Sequence, residues 1–474
     1  MLIRHSVVYI AAKLLPGALG MVTTALLTRS LPPEQYGLYG IALVIMSLGA
    51  TLVFEWLGLA YLRFARGQTD PALAVGTFVQ LFRALLVLTV LAGAVAVIVL
   101  PRGERAIVAA GLVLMASYAS FEFRARFHVA GLAPQAYLRM NVSRAALILL
   151  AASAASWLTR EPVWTVLATA SATFAGSYAG GRRPSGKGFD PALARDVLRF
   201  GVPLAASLAL SSATGSLTRG LVGALGSIEA LGLYTAAFVL VQNTLVVLSS
   251  GLASAGFSLA VHALETGNAA AARRQLAANG ALLLAVLAPA SLGMALTADS
   301  LAATLVGPDF RAAVAVLTPW MAAGAFLSGF RSHYLDHAFQ LGHRMSGQIW
   351  VTASAAAVTL GLDALLIPRM GPRGAAIAVT AGAAVAVVHA VAAGRKAFAI
   401  PLPLAPAIRV GGACALMTVT VLAVPGTGPA ALAGKIGAGT LTYAAAALAL
   451  DVIGLRTQLV RRLRRVGPLA GPAA

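Results

Sequence analysis

The chain is predicted to be an all-α polytopic membrane protein, with about 14 transmembrane helices forming two parallel six-helix lobes around a central cleft, plus two C-terminal helices. Three observations predict this. Hydrophobic residues make up 59% of the 474 positions and charged residues only 11%, with a mean hydropathy of +0.85, the balance of a membrane chain. Apolar runs of about 18–25 residues recur along almost the whole length, each enough to cross ~30 Å of hydrocarbon. Finally, the stretch Leu27-Thr28-Arg29-Ser30-Leu31 returns as Leu217-Thr218-Arg219-Gly220-Leu221, and the Glu-x-x-Gly-Leu-Tyr of Glu34, Gly37, Leu38 and Tyr39 returns at Glu229, Gly232, Leu233 and Tyr234. The spacing between the two blocks is five residues longer in the second copy. A repeat of this kind sets architecture before local structure does.

The apolar runs place spans at residues 6–28, 37–62, 75–100, 105–123, 139–158, 162–181, 201–224, 230–258, 276–297, 311–330, 347–367, 373–394, 405–424 and 432–453. No alternating ten-residue strand pattern occurs, so the spans are helices with internally satisfied backbones. The first run carries Lys13 and Pro16 and leads into another span, which argues against a cleavable signal peptide. An even number of spans per half keeps both halves in one orientation, so the repeat is parallel, about an axis along the membrane normal. The expected organisation is a first lobe at 1–181, a cytoplasmic linker and interfacial helix at 182–200, and a second lobe at 201–396. Spans thirteen and fourteen occupy 397–454, and a basic cytoplasmic tail follows at 455–474.

The formal charge of +20 would suggest nucleic acid in a soluble chain. Here 23 of the 35 Lys and Arg residues fall on the N-terminal side of the alternating spans, 8 on the other side, and Lys13, Arg83, Arg144 and Arg219 inside spans. The bias puts both termini in the cytoplasm and explains the charge without a nucleic-acid partner. The one cysteine, Cys414, excludes an intrachain disulfide. Among His333, Asp336, His337 and His343, the histidines at 333 and 337 can share a helix face, but a cytoplasmic turn is expected there and no metal site is assigned. No Walker-type glycine loop is present, no nucleophile–base–oxyanion set assembles, and no cofactor is expected.

Three stretches are similar to one family. Arg29-Ser30-Leu31-Pro32-Pro33-Glu34-Gln35-Tyr36-Gly37-Leu38-Tyr39 resembles a hinge between spans one and two. Leu198-Arg199-Phe200-Gly201-Val202-Pro203 through Gly232-Leu233-Tyr234 resembles the start of a second half. Leu366-Ile367-Pro368-Arg369-Met370-Gly371-Pro372-Arg373-Gly374 resembles a hinge between spans eleven and twelve. The family is the Wzx-like polysaccharide and lipid-linked oligosaccharide flippases of the multidrug/oligosaccharidyl-lipid/polysaccharide (MOP) exporter superfamily. Thr218 stands where members often carry an acid, so an ion-coupling role for that acid does not transfer. The hinge residues read as fold signatures: prolines withhold N–H donors and glycines permit close packing.

The resemblance implies a lipid bilayer setting and an isoprenoid-pyrophosphate-linked oligosaccharide as substrate, with a polysaccharide polymerase and export machinery as further partners. Four intramembrane cations (Lys13, Arg83, Arg144, Arg219) against one acid, Glu55, suggest a cationic cavity for phosphates. Arg219 is the first choice among them. Helix packing and snorkelling are the competing accounts. Glu55 is expected to pair with Lys13 or Arg83, or to couple an ion, and Asp363 is a second coupling candidate. Rival functions are a peptidoglycan-precursor flippase or drug exporter of the same superfamily, a membrane glycan polymerase or ligase, and a scaffold.

Overall fold

The computed structural model describes residues 2–64, 70–181, 186–249, 264, 268–342, 344–454 and 456–457. Among them lie fourteen long helical segments and no strand. They are α1 Leu2–Ser30, α2 Pro33–Phe64, α3 Pro71–Val99, α4 Arg102–Ala130, α5 Pro134–Thr159, α6 Pro162–Gly176 and α7 Pro191–Leu221. Then come α8 Ile228–Ser249, α9 Ala269–Leu296, α10 Pro308–Leu341, α11 Met345–Met370, α12 Pro372–Ala397, α13 Leu404–Ala423 and α14 Pro429–Ala449. A short helix, Ala298–Leu305, precedes α10. Eight of the fourteen begin on proline, whose missing N–H costs nothing at the first helical position and whose φ already suits the helix. Asp70, Asp190, Ser227 and Asn268 accept the first amide hydrogen bonds of α3, α7, α8 and α9, as capping side chains do.

Eleven of these helices are long and apolar enough to cross a membrane. The other three are α6, only 15 residues long, α7, rich in hydroxyl and glycine residues, and α14, rich in small residues and carrying Lys435.

The packing order repeats. In the first six helices α1 packs on α5, α5 on α6, α6 on α4, α4 on α2, and α3 on α4. In the next six, α7 packs on α11, α11 on α12, α12 on α10, α10 on α8, and α9 on α10. Adding six to each number of the first list gives the second. The two lobes meet through α2 with α8, and through the related pairs α2 with α7 and α1 with α8. Helices α13 and α14 pack on each other, and α13 lies against α9; Tyr443 of α14 donates to the Ala285 carbonyl of α9 at 2.6 Å.

At the turn end of the seam the repeated motif meets itself. A Cβ on Gly37 would collide with the Ile228 carbonyl, and a Cβ on Gly232 would collide with the Pro33 carbonyl. Ile228 precedes Gly232 by four positions, as Pro33 precedes Gly37, so the contact has two-fold symmetry. One turn further in, a Cβ on Gly40 would lie 2.9 Å from Thr235 Oγ1. Only residues without side chains let two backbones approach so closely.

Some boundaries differ from the sequence expectation. Residues 191–200 are the first turns of α7 itself and not a separate interfacial helix, because Asp190 and Pro191 start one helix that runs on through Leu221. Helix α10 continues beyond residue 330 through a π-turn at Arg331–Leu335 and, after the single turn residue Asp336, through His337–Leu341, so His333 and His337 are helical and not in a loop. Helix α11 runs through Pro368 and stops at Gly371, whose φ is 57°; proline in a last turn forfeits one hydrogen bond without breaking the helix. The linker residues Arg182, Arg183, Pro184 and Ser185, the expected end of span eight past 249, His343, and the tail from 458 lie outside the described residues. The rest of the linker lies along α3, where Gln80 Nε2 donates to the Gly188 carbonyl at 3.0 Å and the Asp190 amide donates to Thr77 Oγ1 at 2.9 Å.

Gly37→Val or Gly232→Val should lower the melting temperature in detergent, since forced overpacking costs about 1–3 kcal/mol. Gly361→Ala, whose Cβ meets nothing within 4 Å, should leave it unchanged or raise it, alanine being better in a helix by about 1 kcal/mol. Unchanged melting of both seam variants would mean that α2 and α8 do not depend on close approach.

Candidate functional site

The repeated arginines both cross between lobes. Arg29, in the last turn of α1, donates to the carbonyls of Ala25 at 2.7 Å, Thr304 at 2.7 Å and Leu305 at 3.4 Å. It thereby caps the free carbonyls at the end of the short helix, where cations are favoured. Beside it the Gly307 amide donates to Thr28 Oγ1 at 3.1 Å, and Tyr36 meets Phe310 edge-on at 5.5 Å. Tyr36, Tyr39 and Tyr234 are buried, and Glu34 is exposed in the first turn of α2, where a carboxylate complements the helix dipole. In the third hinge, a Cβ on Gly374 would lie 2.5 Å from the Leu366 carbonyl, joining the end of α11 to the start of α12. These hinge residues close the lobes against each other at this end.

Arg219 makes the corresponding link deeper. Its Nε donates to the Gly215 carbonyl at 3.3 Å, one turn back as Arg29 does to Ala25, while Nη2 donates to Ser216 Oγ at 3.2 Å and to Ser47 Oγ of α2 at 3.0 Å. The Ser47 and Ser216 hydroxyls are themselves 3.0 Å apart, and the guanidinium lies 4.8 Å from the Phe238 ring centroid. Arg219 is 7% exposed and has no carboxylate partner among the described residues. The π-turn Val222–Gly226 falls where the second copy of the motif carries its five extra residues between the two blocks. With Gly232 held against α2, those five residues carry Arg219 inward by roughly 7 Å at helical rise. Next to it, Thr218 Oγ1 donates to Asp363 Oδ2 of α11 at 2.6 Å, and the fully buried Asp363 keeps Oδ1 without a partner among the described residues.

Inward of Ser47 a cavity of about 160 Å³ opens between α2 and α4, lined by Ser47, Thr51, Glu55, Tyr118, Glu122 and Arg126 among others. Glu55 enters it from the π-turn Thr51–Glu55, a distortion common at functional sites. Glu55 makes no ion pair with Lys13 or Arg83; the pair at this cavity is Arg126 Nε to Glu122 Oε2, at 3.9 Å. Lys13 on α1 lies within electrostatic reach of Arg126 and of His333 on α10, so all three border the space between the lobes. Further along α1, Gly17 and Gly20 abut Asn243 in the π-turn of α8, which makes that part of α1 a packing surface. Arg144 stacks on Phe121 at 4.4 Å and Tyr118 at 5.7 Å, beside Glu122 but inside the first lobe. Arg83 is exposed on α3 one turn before Val87, which is 57% exposed, and has no hydrogen bond or ion pair among the described residues. Of the four expected cations, Arg219 bridges the lobes, Lys13 lies within electrostatic reach of the cavity residue Arg126, Arg144 stacks inside the first lobe behind Tyr118, and Arg83 stands apart.

The residues missed from sequence are Ser47, Glu122 and Arg126. The i, i+4 spacing of Glu122 and Arg126 was a usable signal, hidden because span four was ended at residue 123.

A family of polysaccharide biosynthesis proteins matches residues 26–315. The chain belongs to that family. This polysaccharide biosynthesis protein also shares its fold with solved structures. It resembles the lipid II flippase MurJ in an inward closed conformation at 11% identity, with a TM-score of 0.73, covering 96% of this chain and 100% of that one. It resembles an inward-facing multidrug resistance MATE family transporter of the MOP superfamily at 14% identity and TM-score 0.54, covering 85% and 98%. A MOP superfamily transporter from Pyrococcus furiosus matches at 14% identity and TM-score 0.55, covering 83% and 94%. No curated protein matches in sequence. The chain thus belongs to a polysaccharide biosynthesis family and has the fold of solved MOP superfamily transporters.

Cations and hydroxyls gather along the seam, and the glycine contacts lock its turn end. Replacing Ser47 and Ser216 by cysteine, with Cys414→Ala, should allow a disulfide linking α2 to α7 where the hydroxyls are 3.0 Å apart. Oxidation should lock the lobes and stop polysaccharide production in cells that depend on this protein, and reductant should restore it. Full production with the oxidised, mass-verified crosslink would show that this contact does not open.

Proposed function

We propose that the protein is a flippase. It moves an isoprenoid-pyrophosphate-linked oligosaccharide from the cytoplasmic to the periplasmic leaflet of a bacterial inner membrane, by alternating access of the two lobes, for cell-surface polysaccharide biosynthesis. The observation that carries this reading is Arg219. An arginine within a span costs about 2.5–3.5 kcal/mol on insertion scales, yet this one is buried against hydroxyls and a ring with no anion beside it among the described residues. Serine hydroxyls are weak substitutes for a phosphate, which accepts bidentate charge-assisted bonds from guanidinium. When the lobes separate, Ser47 leaves with α2 and Arg219 is left facing the cleft, with Lys13 further in and Arg144 behind the Glu122 wall. The isoprenoid tail stays in lipid. The positive-inside bias supports the cytoplasmic placement of both termini, and a polysaccharide polymerase with its export machinery would take up the product. Transport needs no bond-making step from these residues.

A second reading, a peptidoglycan-precursor flippase, is favoured by the TM-score of 0.73 to MurJ. It uses the same pyrophosphate chemistry and differs in the glycan. Asp363 is the proposed coupling acid, since its unpartnered Oδ1 offers a site for a proton or a cation. Glu55, beside Arg126, is the alternative.

Arg219→Ala should reduce export about tenfold or more, the loss expected for a hydrogen-bonded charge, with Arg219→Lys intermediate. Normal export by a folded Arg219→Ala protein would make it a packing residue. In cells lacking the protein, the carrier-linked oligosaccharide should accumulate in the cytoplasmic leaflet; if lipid II accumulates instead, the second reading replaces the first. Asp363→Asn should uncouple transport in vesicles from the imposed ion gradient while Glu55→Gln does not, and the reverse result would move coupling to Glu55.

A further inference from the structure

A cleft of about 430 Å³ lies between α11 and α12 at their inner ends, away from the seam between the lobes. Its volume is within the roughly 300–1,000 Å³ of small-molecule sites. The polar groups lining it are Arg344, Ser346, His389 and Lys396, with Trp350 and Phe339 as its aromatic walls, and no acid is among the lining residues. Arg344 and Lys396 are exposed, and neither has an ion pair or a side-chain hydrogen bond among the described residues. The cleft also holds the start of α11. Arg344 occupies the N-cap without a side-chain cap; the Gly347 amide donates to the Arg344 carbonyl at 3.0 Å, and the amides of Met345 and Ser346 have no acceptor among the described residues, as at the start of any helix. At the deep end His389 is engaged by Ser354, Nδ1 to Oγ at 2.8 Å.

The surroundings are amphiphilic in a fixed order. Trp350 is 69% exposed, Val388 70%, Met345 53% and Ile349 44%, so the cleft opens sideways onto an apolar surface and not only toward water. Trp350 lies six residues beyond Arg344, roughly 9 Å along the helix. That separation spans the headgroup layer, with cations at the phosphate level and the indole at the acyl boundary. Charge, free amides, an interfacial tryptophan and a lipid-facing opening converge at the end to which the charge bias assigns the cytoplasm. Basic pockets between helices on that side suit anionic headgroups. A soluble anion would have no use for the apolar opening.

We propose that this cleft binds the phosphate headgroup of an anionic phospholipid of the inner leaflet, with its chains lying along Trp350 and Val388. Arg344 and Lys396 hold the phosphate, and the Ser346 hydroxyl with the Met345 and Ser346 amides supplies neutral donors. The site concerns the membrane around the protein and does not rest on the identity of the transported glycan.

The test uses the full chain in vesicles of phosphatidylcholine to which brominated phosphatidylglycerol or brominated phosphatidylcholine is added at equal mole fraction. Trp350 emission is read as the difference between the wild type and Trp350→Phe. The brominated anionic lipid should quench Trp350 at lower mole fraction, by about tenfold for two cations near the surface. The preference should vanish in Arg344→Gln with Lys396→Gln and persist in Arg373→Gln at the opposite end of α12. Unbrominated phosphatidylglycerol should relieve the quenching in the wild type, which tests the site even if the double variant does not fold. Equal quenching by the two lipids, or a preference unchanged in a folded double variant, overturns the proposal. Relief by inorganic phosphate as effective as by the lipid would overturn it in favour of a soluble-anion site.

Discussion

The contact on which the structure depends is that of Gly37 and Gly232, each pressed against the carbonyl that begins the other's helix. In lipid there is little hydrophobic force between helices, so close van der Waals approach is what joins them. These two glycines allow α2 and α8 to touch backbone to backbone, and the symmetry of the contact relates the lobes. From there the aromatic residues Tyr36, Tyr39 and Phe310 pack around the seam, and Thr28 and Arg29 reach the turn after the short helix. Any motion of one lobe against the other has to take place about this joint.

The same joint explains why two arginines in equivalent sequence positions have different surroundings. Arg29 is tied to backbone carbonyls near the edge, and Arg219 is buried against Ser47, Ser216 and Phe238. The difference is the π-turn Val222–Gly226, absent from the first copy. Distortions of the same kind recur at Thr51–Glu55 and Gln242–Val246, where α2 faces α7 and α8 faces α1. Such turns break the regular hydrogen-bond ladder and are frequent at functional positions. They are placed where the lobes touch below the glycine joint.

Much of the fold was legible because lipid limits the choices. Backbone groups must be satisfied within each span, so long apolar runs read as helices, and the repeated Glu-x-x-Gly-Leu-Tyr disclosed two related halves. The site was less legible. Lys13 and Arg219 stood out as charges inside apolar runs, but so did Arg83, which lies on the exposed side of α3. Glu122 and Arg126 were placed at a helix end because charged residues resemble a loop, whereas α4 continues to Ala130. Arg331 and Asp336, 3.0 Å apart, were hidden in the same way, since the π-turn extends α10 past its apolar run. Hydropathy marks where the chain meets lipid and is silent about helices that run on beyond it.

The sequence by itself determined what each segment must be: its period, its prolines, its charge bias and its repeat follow from local chemistry and from the solvent. Only the tertiary structure decided which faces meet. That Asp363 answers Thr218, that Ser47 answers Arg219, and that Gly37 answers Ile228 depends on helices far apart in the chain. Such pairings are set by how side-chain volumes fit between helices, a property no single helix carries.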